Sequence, residues 1–446
     1  MNTEAVISVI VFLLVMAAII SEKMHRAVAA MAGAVILLLF HVLSVDEATT
    51  YVDINTIGVL VGMMLFVAVV KNSGLFEYVA IKAAKLTKGR PMAILVVFAI
   101  ITAVLSAFLD NVTTVLLIGP MTIAITQMLE VNPIPYLLSQ IMASNIGGTA
   151  TLIGDPPNIM IGSAAGLSFM DFVVNTGSVI VIILAVTVLI YYFMYRGQIS
   201  VIEENMHKVM ELDENRSIKD RPLLIKSVIM TVVVVIGFVF HSQLQVESAT
   251  VALFAAGFML VFGKQDAEEI ILGVEWSTIL FFIGLFVVVG GMQKSGVITS
   301  LAELMMEFIG NNEALGIVII LWVSAIISSF LDNIPFVATL IPLILTMESG
   351  GVDVTPLWWA LSLGACLGGN GTLVGASANV VLAGVSAKNG YPITFMQYTK
   401  NRISADAYFN PDQYSLSAAS FCISVCRNKG RRILYEQKHS KRGYCR

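Results

Sequence analysis

Ser144-Asn-Ile-Gly-Gly-Thr-Ala-Thr-Leu-Ile-Gly-Asp-Pro-Pro-Asn158 lies at the centre of an apolar stretch running from 136 to 167. The stretch is long enough to cross a membrane as a helix, but its middle cannot be helical throughout. Pro156 and Pro157 lack the N–H a helix interior needs, and their rings clash with the preceding turn. Gly147 and Gly148 let the backbone unwind and come close to a ligand. Composition supplies the environment. The 446-residue chain is 57% hydrophobic and only 13% charged, whereas a soluble domain is about a quarter charged. Broken backbone is tolerated at membrane depth only where protein buries it or where it lines a wet cavity. The net charge of -4 offers nothing to nucleic acid. Of the cysteines, Cys366 lies in an apolar segment and Cys422, Cys426 and Cys445 in a polar tail, which is no secreted disulfide framework.

The same punctuation returns in the second half. Gly147-Gly-Thr-Ala-Thr-Leu-Ile-Gly-Asp-Pro-Pro-Asn158 is matched by Gly368-Gly-Asn-Gly-Thr-Leu-Val-Gly-Ala-Ser-Ala-Asn379, at 379 − 158 = 221 residues. Ser106-Ala-Phe-Leu-Asp-Asn111 is matched by Ser328-Ser-Phe-Leu-Asp-Asn333, at 332 − 110 = 222. Lys71-Asn-Ser-Gly74 is matched by Gln293-Lys-Ser-Gly296 at the same spacing. Solenoid repeats are far shorter, about 20–50 residues, so the chain carries one large unit twice.

Apolar runs of roughly 20 residues mark candidate spans. They lie near 5–20, 27–43, 55–70 and 172–195, then near 223–240, 248–263 and 276–291. The first run, from Ala5 to Ile20, lacks the basic flank and cleavage site of a signal peptide and is taken as a span. Segments 92–127, 136–167, 314–346 and 357–385 are apolar but interrupted by Gly, Asn, Asp or Pro. Lys23 and Arg26, then Lys82, Lys85, Lys88 and Arg90, then Lys208, Arg216, Lys219, Arg221 and Lys226 fall on one side if 92–127 is a re-entrant hairpin. With that linker inside, the second hairpin enters from the opposite face. The expected fold is therefore an all-α polytopic inner-membrane protein. It comprises a first inverted repeat (1–196), a cytoplasmic linker (197–222), a second inverted repeat (223–398) and a polar tail (399–446). Each repeat holds a re-entrant hairpin and a broken transmembrane helix. Lys71 and Lys294, at span ends, are expected to snorkel to the interface.

Paired interrupted helices point to a transport site. A half-helix that ends in the membrane presents free carbonyls, which suit a cation, and one that starts there presents N–H groups, which suit an anion or polar solute. The candidate ion- or substrate-binding residues in the first repeat are Asp110, Asn111 and Thr113 at the hairpin, with Asn145, Gly147, Gly148, Thr151, Asp155 and Asn158 at the break. In the second they are Asp332 and Asn333, with Gly368, Gly369, Asn370, Thr372 and Asn379. Candidate sodium ligands among them are Asp110, Asn111, Asn145, Asn158, Asn333 and Asn379. Two plainer roles compete: Asp110 and Asp332 are well placed to cap the second hairpin arms, and the glycines suit close helix packing. Asp155 stands apart because its repeat counterpart is Ala376. A role the duplicated fold required would appear twice, so Asp155 is expected to couple transport to a proton or cation.

The runs at 106–114 and 144–158 resemble those of the ion transporter superfamily, in particular bacterial relatives of the melanosomal P protein within the arsenite-permease and D-type sodium/proton-antiporter family. The resemblance covers roughly 5–398. It implies a scaffold and a mobile transport domain working as an elevator, and a site built from the two tips and two breaks. It implies a first cation site at Asp110, Asn111, Asn145, Gly148 and Asn158, and a second at Asp332, Asn333, Gly369 and Asn379. Related carboxylate carriers tend to have Thr where this chain has Asp155. The departure favours sodium/proton antiport or arsenite efflux over uptake of citrate-like di- or tricarboxylates. No cofactor is expected beyond a coupling sodium ion or proton. Membrane lipid, the small-ion substrate and a second copy in a homodimer are the expected partners, with a partner ATPase if the cargo is arsenite.

An intramembrane hydrolase built on Gly375-Ala-Ser377-Ala lacks a positioned base, because His25, His41, His207, His241 and His439 lie in loops or at span ends. A channel lacks a pore ring of charges. The tail is the last expectation. Phe169-Met-Asp-Phe172 leads into an apolar span, but Phe395-Met-Gln-Tyr398 leads into basic sequence that includes Arg427, Arg431 and Lys441. Such residues cost a few kcal/mol each at mid-bilayer. A frameshift or truncation near 398–402 accounts for the missing span. The tail is expected to pack poorly, to carry no functional residue and no zinc knuckle, and to leave the chain impaired.

Overall fold

The computed structural model describes residues 2–399 apart from Glu22, Ser200, Ile202 and Asn311. The expectations for the tail beyond Thr399 fall outside the described residues. Among those described the chain is helical, without strands. The first half runs α1 (Thr3–Ile20), α2 (Arg26–Leu39), α3 (Val45–Tyr51), α4 (Ile54–Asn72), α5 (Leu75–Leu86), α6 (Pro91–Ser106), α7 (Asn111–Met128), α8 (Ile134–Gly148) and α9 (Pro156–Ala165). It ends with α10 (Phe169–Phe172), which passes through a π-helical turn, Val173–Gly177, into α11 (Ser178–Tyr195). Helix α12 (Glu203–Met210) lies in the linker. The second half runs α13 (Arg221–Phe240), α14 (Ser248–Phe262), α15 (Ala267–Leu272), α16 (Trp276–Lys294), α17 (Val297–Ile309), α18 (Glu313–Phe330), α19 (Asn333–Ser349), α20 (Thr355–Gly368) and α21 (Ser377–Lys388). Among the described residues, seven helices are long and apolar enough to cross a membrane, and four shorter apolar helices accompany them.

The duplication is legible element by element. Helices α5 and α17 both follow a glycine in the left-handed region, Gly74 at φ 82° and Gly296 at φ 81°, where other residues are strained. Packing is reciprocal: α4 lies along α14, and α16 along α2. Each contact closes on a glycine. A Cβ at Gly62 would sit 2.6 Å from the Ala252 carbonyl carbon, and one at Gly284 would sit 2.7 Å from the Ala30 carbonyl carbon. Small residues let membrane helices approach backbone to backbone. Within each half the hairpin's first arm lies on the broken helix, α6 on α8 and α18 on α20. Between halves the second arms cross over, α7 to α21 and α19 to α9. This exchange is the pattern that repeats related by a two-fold axis would make. Outward faces keep Leu13, Leu14, Ile225, Val232, Phe254 and Phe262 exposed, as lipid contact requires.

Three features differ from the expectation. Helices α5 and α17 are additional and lie between span and hairpin. The linker is partly folded: Lys85 on α5 pairs with Glu214 at 2.5 Å, and the Lys219 N–H donates to the Ser73 carbonyl at 3.2 Å. Lys294 does not simply snorkel; it grips Glu47 of α3 at 2.6 Å.

Candidate functional site

Each hairpin is fastened to its break by side chains at repeat-related positions. The Ser106 hydroxyl donates to the Ser144 carbonyl at 2.7 Å, and the Ser328 hydroxyl to the Ala365 carbonyl at 2.6 Å. Thr151 donates to the Ala107 carbonyl and Thr372 to the Ser329 carbonyl. Gly147 and Gly368 make this approach possible: a Cβ would lie 2.1 Å from the Ala103 carbonyl oxygen at Gly147 and 2.6 Å from the Ala325 carbonyl oxygen at Gly368. The structure thus supports the packing role for these two glycines. Gly148 packs in the same way on Gly154, and Gly369 beside Gly375 and Ala376. Both hairpin aspartates are caps. Asp110 accepts from the Thr113 N–H at 2.8 Å, and Asp332 from the Ile334 N–H at 3.1 Å.

The breaks are held by their own asparagines. The Asn158 amide donates to the carbonyls of Gly148, Thr149 and Thr151 at 3.3, 3.3 and 2.9 Å. Its oxygen accepts from Ser362 at 2.7 Å. Asn379 donates to the carbonyls of Gly369 and Thr372 at 2.8 and 3.0 Å. These amides satisfy carbonyls that the interrupted helix leaves open, so Asn158 and Asn379 buckle the loops through their nitrogens. Asn145 ties the halves together. Its oxygen accepts from Asn111 at 3.1 Å, and its nitrogen donates to Asn370 and Asn379 at 2.9 Å each.

Asp155 stands where the tips converge. It is 1% exposed. One carboxylate oxygen accepts from Asn111 at 3.3 Å and the other from Asn333 at 3.3 Å, one partner from each hairpin tip. It occupies the N-cap position of α9 yet makes no capping bond. Ala376 occupies the same place before α21 with nearly the same backbone, φ -146° and ψ 145° against φ -145° and ψ 133°. The backbone therefore does not need the carboxylate. Two separate cation clusters were expected; the structure joins them into one hydrogen-bonded network through Asp155 and Asn145.

Asp155 opens onto a cavity of ≈ 20 Å³ between the tips and the helices facing them, lined also by Asp110, Asn111, Asn333, Glu275, Thr278 and Arg26. A cavity of that size holds about one water, which needs about 10–15 Å³; a second cavity of ≈ 370 Å³, lined by Arg26, Asp332 and Ser377, lies on the other side of the second tip. Arg26 was counted as a loop charge that sets orientation. The structure instead turns it inward, 2.9 Å from Asp332. Glu275, the N-cap residue of α16, accepts from Thr278 at 3.1 Å. Glu275 and Thr278 carried no motif signal, though each begins a span at the position equivalent to Asp53 and Thr56. Thr113 departs from the group and faces a neighbouring cleft with Lys71, Glu269 and Glu275. Ser377 donates to Asp332 at 2.8 Å, so its hydroxyl is engaged by a carboxylate and not by a histidine base.

Residues 16–364 match a family model described as citrate transporter. The chain is 39% identical over 407 residues to the 46 kDa membrane protein of Mycobacterium leprae, covering 90% of this chain and 95% of that protein. It is 41% identical over 403 residues to an uncharacterized transporter of Mycobacterium tuberculosis, covering 89% and 94%. It is 33% identical over 482 residues to the P protein of Homo sapiens, of which it spans 58%. Among solved structures, the YdaH transporter of Alcanivorax borkumensis, reported for its unusual topology, superposes with a TM-score of 0.52. That match covers 97% of this chain and 99% of that one at 13% identity; it speaks for the fold alone.

Proposed function

Because the chain belongs to the citrate transporter (CitMHS) family, within the ion transporter superfamily, and is therefore a multi-pass membrane transporter, we propose that it exchanges a small monovalent cation, sodium, for protons. The observation that carries this is Asp155, a buried carboxylate held by one amide from each hairpin tip. An anionic group on a shared axis can take a proton or a bare cation, and each occupant excludes the other. Asp110 and Glu275 add carboxylates to the same small cavity. Carboxylates repel a citrate-like anion, and a neutral metalloid acid gives them no charge to compensate, so arsenite efflux stands second. Uptake of a carboxylate coupled to a cation is the competing assignment, favoured by the description of the matched family. The motion proposed is an elevator. The hairpins and broken helices, fastened at Ser106, Ser328, Thr151 and Thr372, would move as one body against the α2, α4, α14 and α16 framework.

Flux in proteoliposomes with an imposed pH gradient tests it. Sodium added outside should dissipate the gradient, while citrate, succinate and arsenite should not. Saturable citrate uptake without sodium-dependent proton movement would replace cation exchange with carboxylate transport.

A further inference from the structure

The two hairpin aspartates sit at equivalent places but have different neighbours. Asp110 makes no ion pair among the described residues. Asp332 has Arg26 Nη1 at 2.9 Å from its Oδ2. The same nitrogen donates to the Ser377 hydroxyl at 2.5 Å, and Nη2 donates to Thr278 at 3.1 Å. Ser377 in turn donates to Asp332 at 2.8 Å. The guanidinium also lies 5.2 Å from the centre of the Phe281 ring, a favourable site for a cation. The charge is thus held from several directions, and held in one repeat only. At 26 + 222 = 248 the second repeat has Ser248, which bonds Asn55 instead.

We propose that Arg26 is a tethered cation occupying the Asp332 site, so that this chain takes one mobile cation at its hairpin tips, on the Asp110 and Asp155 side, rather than two. This rests on the cation reading above. A guanidinium is always charged and strongly directional. With Asp332, Ser377 and Thr278 all engaged, the coordination a second ion would need is already satisfied. The fixed charge also joins α2 and α16, which supply Arg26, Thr278 and Phe281, to the tip and break, which supply Asp332 and Ser377. In this conformation the symmetric pair of sites that the duplication first suggests becomes one mobile site and one filled by the chain itself.

Equilibrium binding of radioactive sodium to the purified full-length chain, at one fixed pH, tests this. Wild type should bind one ion per chain. Asp332→Asn should still bind one, because that carboxylate holds no mobile ion. Arg26→Gln should bind two, and the gain should vanish in Arg26→Gln combined with Asp332→Asn. Arg26→Lys, which keeps a charge, should stay at one. Two ions in wild type, or one lost in Asp332→Asn, overturns the proposal even if Arg26→Gln does not fold. One ion in both wild type and a folded Arg26→Gln overturns it and leaves cation exchange standing. No ion in wild type, with an Asp332-dependent ion gained in Arg26→Gln, supports the tethered charge and sinks sodium as the mobile ion. No ion in any variant overturns both.

Discussion

Asp155 and Ala376 share a backbone conformation and a place in the fold, and they differ in one carboxylate. That carboxylate accepts from two amides on different hairpins. Asparagine preserves its shape but has only one accepting oxygen, and its own NH2 must then face Asn111 or Asn333. Asp155→Asn is therefore expected to insert and fold while cation-driven proton flux falls by at least about tenfold, equivalent to 1.4 kcal/mol. Proteoliposome flux with matched protein loading checks it; flux with unchanged cation and pH dependence would remove Asp155 from the coupling role. Ala376→Asp, by contrast, adds a buried charge beside tightly packed Gly369 and should lower expression without creating a second coupling site.

At the scale of elements, the hairpins depend on backbone approach. At Gly147 a methyl group would lie 2.1 Å from a main-chain oxygen of α6, which cannot swing aside as a side chain would. Gly147→Ala is expected to destabilise the protein by about 1–3 kcal/mol through overpacking, seen as a lower unfolding temperature in detergent. Gly384→Ala inside α21, where nothing lies within 4 Å, is the control and should not destabilise, since helical Ala is favoured over Gly by about 0.5–1 kcal/mol. A second element-scale contact joins Glu47, on α3 outside the membrane-spanning segments, to the end of α16. Glu47 bonds Lys294 and also closes the Ser44 capping box of α3, and these contacts lower its carboxyl from 4.5 to about 2. A depressed carboxyl contributes stability above its unfolded value and loses it as pH falls through the folded one. The Lys294 contribution is therefore whole above pH 4.5 and lost toward pH 2. Lys294→Gln should lower the unfolding temperature equally at pH 6 and pH 8; a difference appearing only at pH 8 would refute the assignment.

At the scale of the whole molecule, the reciprocal pairs α4–α14 and α2–α16 form the proposed framework, and the small cavity lies between it and the tips, bridged by Arg26 and Asp332. Met64 on α4 and Val112 in the first turn of α7 both line that cavity. In a cysteine-free background, a short thiol cross-linker between Met64→Cys and Val112→Cys should stop flux. A cross-link within the framework, between Asn72→Cys and Gln265→Cys, whose native side chains bond at 3.2 Å, should leave flux intact. Equal inhibition by both would mean that the framework moves too, and the elevator would fail.

The sequence by itself determined the membrane class, the duplicated unit and the two breaks. Each rests on local chemistry: low charge, a fixed offset, and Pro and Gly where a helix cannot continue. It also singled out Asp155, because a duplicated chain supplies its own comparison at Ala376. Helices α5 and α17 escaped, since they pack on the second hairpin arms α7 and α19 and lack a span's uniform apolarity. Only the tertiary structure decided what the polar residues do. Asn158 and Asn379, candidate ligands in sequence, also serve as buckles, because the open carbonyls of the loops lie within reach of their amide nitrogens. Arg26 looks like an orienting loop charge, yet it meets Asp332, 306 residues away, because α2 packs on α16 and the second tip closes over both. No periodicity or spacing along one strand of sequence encodes a partner that distant. It is set when the two repeats exchange their second arms and bring both tips to one carboxylate.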